Sequence, residues 1–115
     1  METANKIIIK ISEEFSKTPG ARYLDEGEFW GEDFRERILT PKLKEAIASG
    51  KGLLIDLDGT AGYGTSFLEE AFGGLIRKDG FLFQQLNKIL SFKSNEEKYL
   101  IEDIWGYMKD ASNAK

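Results

Sequence analysis

The sequence predicts an α/β domain: a small, about four-stranded mixed sheet with helices packed on it. Three observations carry that reading. Leu53–Leu57 is a short, almost wholly apolar run, the pattern of a strand covered on both faces. An apolar stripe at helical spacing follows it, through Phe67, Leu68, Ala71, Phe72, Leu75 and Ile76. Further strand-like and helix-like segments alternate along the rest of the chain.

The elements are expected in this order. Lys6–Ile11 is rich in isoleucine and reads as the first strand, ended by a turn at Ser16–Gly20 with Pro19 and Gly20. Ala21–Leu24 reads as a second, short strand. Glu32–Leu39 reads as a helix with Phe34, Ile38 and Leu39 on one side. A break is expected at Thr40, where a hydroxyl N-cap precedes Pro41, and a second helical piece then carries Leu43, Ala46 and Ile47 to a C-cap at Gly50. Gly52–Leu57 is the strongest strand. The helix after it spans Ser66 to Lys78, with Glu69 and Glu70 early, Arg77 and Lys78 late, and Gly80 as its end. Phe81–Leu86 fits neither template cleanly. Asn87–Lys93 reads as the last strand. Ser94 with Glu97 matches a capping box and opens a terminal helix with Leu100, Ile101, Ile104, Trp105 and Met108 buried. The tail Asp110–Lys115 is expected to fray, which leaves one domain over 1–115 with an ordered core of about 6–109.

Composition narrows the chemistry. The chain has 115 residues, 41% of them apolar, and a net charge of −4 with both signs interspersed. There is no basic patch for a phosphodiester backbone, so no nucleic-acid partner is expected. No apolar run or leader pattern points to a membrane or to export, so a cytoplasmic location is expected. With no cysteine and no histidine, thiol nucleophiles, zinc sites and histidine-based triads drop out. No cofactor is expected.

The segment between strand and helix holds the candidate chemistry. Gly59, Gly62 and Gly64 form a glycine-rich turn that delivers Thr65 and Ser66 to a helix N-terminus, a setting suited to binding or accepting a phosphate. Gly59–Ser66 has the glycine spacing of a P-loop, but Thr65 stands where the phosphate-binding lysine should be. Leu53–Thr60 (LLIDLDGT) resembles motif I of the haloacid dehalogenase superfamily. That resemblance implies a magnesium-dependent phosphatase with Asp56 as nucleophile and Asp58 as general acid. About half the chain precedes this motif, and Glu102-Asp103, which supplies a later acidic pair, falls in a predicted helix where the two side chains diverge. In the structural alternative, Asp56 and Asp58 shape the turn.

A longer resemblance covers about two-thirds of the chain. Gly64–Leu75 (GTSFLEEAFGGL), Gly31–Leu39 (GEDFRERIL), Thr40-Pro41, Arg22 and the strand Leu53–Leu57 together resemble the STAS-like domain family, related to the anti-sigma-factor antagonists. The resemblance implies a non-enzymatic regulatory module that binds a histidine-kinase-type ATPase and is switched by phosphorylation of a hydroxyl at the helix start. By position that hydroxyl is Ser66, with Thr65 beside it. The implied contact is centred on Gly62–Phe72, with Gly62, Tyr63, Gly64, Glu69 and Glu70 as candidate partner-binding residues. The antagonists place an Asp before the hydroxyl and a Gly after it; here Thr65 precedes Ser66 and Phe67 follows.

Other residues have local readings. Ser66 with Glu69 matches a capping box. Gly73-Gly74 inside a helix implies a close approach by a neighbouring element. Trp30 and Trp105 are expected at the core or its edge. Arg22 and Arg35 are candidates for an anion near the loop or for solvated ion pairs.

Overall fold

The computed structural model describes residues 5–19 and 26–114. Arg22 and the predicted strand Ala21–Leu24 lie outside them. Three strands, β1 (Lys6–Lys10), β2 (Gly52–Asp56) and β3 (Leu90–Lys93), form one sheet in the order β1-β2-β3. Both pairings are parallel, with Lys10 opposite Asp56 and Asp56 opposite Lys93. The described sheet is therefore three-stranded and wholly parallel, an α/β core smaller than the expected four-stranded mixed one.

Strand β1 runs directly into a helical turn, α1 (Ile11–Glu14), that buries Ile11. The next helical stretch is continuous where the sequence predicts a break. It comprises α2 (Glu26–Phe34), a π-helical turn (Arg35–Leu39) and α3 (Thr40–Ser49). Thr40 is not an N-cap; its Oγ1 donates to Asp79 Oδ2 at 2.7 Å. Pro41 lacks an N–H and crowds the carbonyl four residues back, and the wider π turn just before it accommodates both demands. Gly50 ends α3 in the left-handed region, as expected.

Beyond β2, a second continuous helical path comprises α4 (Thr65–Leu68), a π-helical turn (Glu69–Gly73) and α5 (Gly74–Arg77). Its predicted stripe is buried throughout. The predicted last strand is shorter than expected. Residues 83–89 instead form α6 (Phe83–Ile89), because Phe83 and Leu86 sit one turn apart: Leu86 is buried, and Phe83 packs edge-on against Trp105. The last helix, α7 (Tyr99–Asn113), starts later than the Ser94–Glu97 signal. Ser94 Oγ donates to the Glu97 carbonyl at 2.6 Å and shapes the loop rather than capping a helix. The tail does not fray at Asp110, since α7 continues past it and buries Ala111.

The core lies on one side of the sheet. An aromatic chain crosses it from Phe15 through Phe34 and Phe67 to Phe72, Phe92 and Trp105, with ring centroids 5.3–6.5 Å apart. Trp30 packs edge-on against Phe15 at 5.2 Å, and both tryptophans are half-buried at the core edge. No described helix is long and apolar enough to cross a membrane.

Candidate functional site

Parallel strands bring their carboxyl ends to one edge of the sheet, where crossover loops converge. Here that edge carries Lys10, Asp56 and Lys93 side by side. Asp56 is buried and receives both lysines on Oδ2, Lys10 at 3.4 Å and Lys93 at 3.8 Å. Its Oδ1 accepts the Asp58 backbone N–H at 3.0 Å.

Asp58 is occupied as well. Its Oδ1 accepts the N–H groups of Asn95 and Glu96 at 2.9 and 3.0 Å, and Oδ2 also receives Asn95. These backbone donors, Glu96 first, hold its carboxyl below the usual range. A general acid must carry a proton, whereas this carboxylate is stabilised in its charged form. The two aspartates of the dehalogenase-like motif thus close the turn and pin the β3–α7 loop, as in the turn-shaping alternative. Among the described residues, no group of three or more His, Cys, Asp or Glu is placed to hold a metal ion.

This clamp titrates in a defined direction. The folded pKa of Asp58 is depressed, so its stabilisation is present above the unfolded value of about 3.9 and is lost as pH falls through the folded pKa. Protection of the Asn95 and Glu96 amides, relative to their intrinsic exchange rates, is expected to fall in that acid range. Asp58→Ala, which removes both acceptor oxygens, should show lost protection there already at neutral pH; full protection in that variant would remove the clamp.

The glycine loop is held from several sides. Gly59 has φ 91°, and a Cβ there would lie 2.8 Å from Ser12 Oγ. Its N–H donates to Glu96 Oε1, that of Ala61 to the Lys17 carbonyl, and that of Gly62 (φ 139°) to Thr60 Oγ1. These N–H groups are therefore committed inside the protein rather than aimed at a phosphate, which argues against a P-loop. Tyr63 is not a free anchor. Its hydroxyl donates to the Leu57 carbonyl at 2.8 Å, its ring lies 5.9 Å from Phe67, and burial raises its pKa.

The helix start differs from the expected capping box. Gly64 is the N-cap, in extended conformation with no side-chain cap, and Thr65 and Ser66 are the first two helical residues. Both side chains are exposed, and neither hydroxyl makes a hydrogen bond to a described residue. Glu69 turns away from Ser66 toward the helix C-terminus and pairs with both terminal nitrogens of Arg77, at 2.7 and 3.1 Å. Gly73 leaves room for that bridge, since a Cβ there would lie 2.9 Å from Glu69 Oε2. Glu70 lies between Arg77, Lys78 and Arg35, at 3.4–3.6 Å from each.

Arg35 is not a solvated ion pair: its guanidinium is buried between Asp79 and Glu70. It is 1% exposed, lies flat over Gly74, and donates to Asp79 Oδ1 at 2.9 Å. It is the neighbour that Gly74 admits. Sequence reasoning missed Asp79 as its partner, and a lone acidic residue after a helix end carries no signal for that role.

A three-stranded parallel sheet with helices packed on it and an exposed hydroxyl pair opening the helix after the central strand defines a small α/β module built for contact. Residues 31–100, well over half of the chain, match the STAS-like domain of unknown function (DUF4325), and the chain belongs to that family. Its family places it among regulatory, protein-interaction modules. No match was found among curated proteins or among solved structures.

Proposed function

We propose that this domain binds a histidine-kinase-type ATPase through the surface centred on Gly62–Phe72, and that phosphorylation of Ser66, or of Thr65 beside it, releases the partner. The observation that carries the reading is the pair of exposed hydroxyls with no hydrogen bond to a described residue, at the start of the helix after the central strand. A hydroxyl engaged as a cap would have to leave the helix before a kinase could take it; these two are already free of that role. The partner class follows from the family resemblance.

The electrostatics suit a switch. A phosphate adds roughly −1.5 to −2 charge. At the second helical position it meets the positive end of the helix dipole, so it leaves the domain folded. Glu69 and Glu70 would oppose it if they faced it, but both are bonded toward Arg77 and Lys78. The same charge buried in an interface lacks a partner and costs several kcal/mol. Gly62 and Gly64 let a partner approach the backbone closely, while Tyr63 and Glu70 act by shaping the surface from beneath.

The test uses a purified histidine-kinase-type ATPase from the same organism. Ser66→Glu should weaken its affinity by at least about tenfold, roughly 1.4 kcal/mol, with an unchanged circular dichroism spectrum. Ser66→Ala should bind as wild type does. Incubation with the ATPase and Mg-ATP should add one phosphate to the peptide holding Thr65 and Ser66, read by mass spectrometry. Equal affinity of wild type and Ser66→Glu would end the switch reading.

A further inference from the structure

The strand order has a consequence for the other side of the sheet. Each crossover moves one strand over in the same direction, β1 to β2 and β2 to β3. Right-handed crossovers of that kind place both helical layers on one face. Helix α7 joins the same layer, because Trp105 packs on Phe92. Ile9, Leu53, Ile55 and Leu90 are buried beneath those helices. By alternation, their neighbours along each strand point the opposite way.

Two contacts show that these neighbours share one surface. Lys6 Nζ reaches Ser91 Oγ at 3.2 Å, from one outer strand to the other, with its stem against Gly52. Lys10 and Lys93 meet on Asp56 from opposite sides. Between these cations lie Ile8, 45% exposed, and Leu54, half-buried. Among the described residues no helix covers this face. Parallel sheets are ordinarily covered on both faces.

We propose that this face docks an acidic amphipathic helix of a protein partner. The charge selects the sign: of the strand residues on this face three, Lys6, Lys10 and Lys93, are cationic and one, Asp56, is acidic, with Asp58 just beyond the strand end near Lys10 and Lys93. The dimensions select the shape. Three strands at about 4.8 Å spacing span roughly 10 Å, the diameter of one helix, and four or five strand residues match about three helical turns. Ile8 and Leu54 offer an apolar centre for a stripe at i, i+3, i+4 and i+7, and the lysines flank it for Asp and Glu. Nucleic acid fits less well, since its phosphates gain nothing from Ile8 and Leu54.

The test is a titration of the full isotope-labelled chain, followed by amide chemical shifts. The probe is a synthetic helical peptide with a leucine stripe flanked by glutamates; the control is the same peptide with lysines in place of the glutamates. The expected result is shift changes at Lys6–Lys10, Leu54 and Ser91–Lys93, a loss of affinity as salt rises, and little binding of the lysine peptide. Ile8→Glu should weaken binding roughly tenfold or more, and Ile8→Thr, which keeps a β-branched strand residue, should weaken it less. Ser66→Glu should leave this binding unchanged, which separates the surface from the proposed switch. Any of four results would overturn the proposal: no shifts on this face, equal binding of the lysine peptide, tighter binding of a single-stranded oligonucleotide, or a face already filled. A filled face would be seen as concentration-dependent shifts without peptide, or as nuclear Overhauser contacts from residues 1–4 or 20–25 to Ile8.

Discussion

Asp79→Ala is expected to cost the domain about 3 kcal/mol of folding stability, the scale of breaking a buried ion pair from one side. Asp79 lies beyond the end of α5 and accepts two bonds from the first helical path, Arg35 at 2.9 Å and Thr40 at 2.7 Å. Arg35 has almost no contact with water, and its Nε and one terminal nitrogen already lack hydrogen-bond partners. Glu70 stands 3.6 Å away and shares itself with Arg77 and Lys78, so it cannot replace the lost carboxylate. The guanidinium cannot retreat into the helix beneath it, because it already rests on the Gly74 backbone. Urea denaturation should show the loss, with a melting temperature lower by roughly 10 °C. The double variant Arg35→Met, Asp79→Ala removes the stranded cation and should be more stable than Asp79→Ala alone. A single variant within about 0.5 kcal/mol of wild type, the spread of ordinary surface changes, would mean that Arg35 is solvated after all.

That buried arginine marks the limit of what the residues disclose on their own. The β2 strand and the stripe from Phe67 to Ile76 are legible because one apolar period dominates each, and burial enforces the same period. The π-helical turns are not, because a hydrophobic stripe records which face is buried and not which carbonyl each N–H selects. The Asn87–Lys93 reading fails at its start, because Ile89 and Leu90 are adjacent apolar residues that fit a helix end or a strand equally well. At the candidate site, the exposed hydroxyls follow from Gly64 and the helix period. The roles of Asp56 and Asp58 do not, since Asp58 is fixed by N–H groups 37 and 38 residues away. The same four letters, DLDG, suit a catalytic pair or a loop clamp, and only the tertiary partners separate them. Gly73 and Gly74 do signal a close approach, but the thing approaching is a side chain from the first helical path and an ion pair along their own helix.

Gly31→Ala is expected to destabilise the domain by about 1–2 kcal/mol, although alanine is the better helix former. Gly31 sits in α2 where it crosses the helix that starts at Thr65. A Cβ there would lie 2.7 Å from the Phe67 carbonyl oxygen and 2.9 Å from Glu70 Cβ. Neither neighbour is the loose end of a flexible side chain, so the two helices must separate. Overpacking of this kind costs about 1–3 kcal/mol, and the gain in helix propensity returns at most ~1 kcal/mol. Gly106 supplies the opposite case: it is exposed in α7 with nothing within 4 Å of a built Cβ. Gly106→Ala should therefore stabilise by roughly 0.5–1 kcal/mol, from helix propensity alone. The two substitutions are chemically identical, and chemical denaturation should separate them in sign. Because Phe67 directly follows Ser66, the Gly31→Ala displacement should also loosen the start of that helix, read as faster amide exchange at Phe67 and Leu68. Equal stability changes for the two variants would mean that the helix crossing at Gly31 is not as close as 2.7 Å implies.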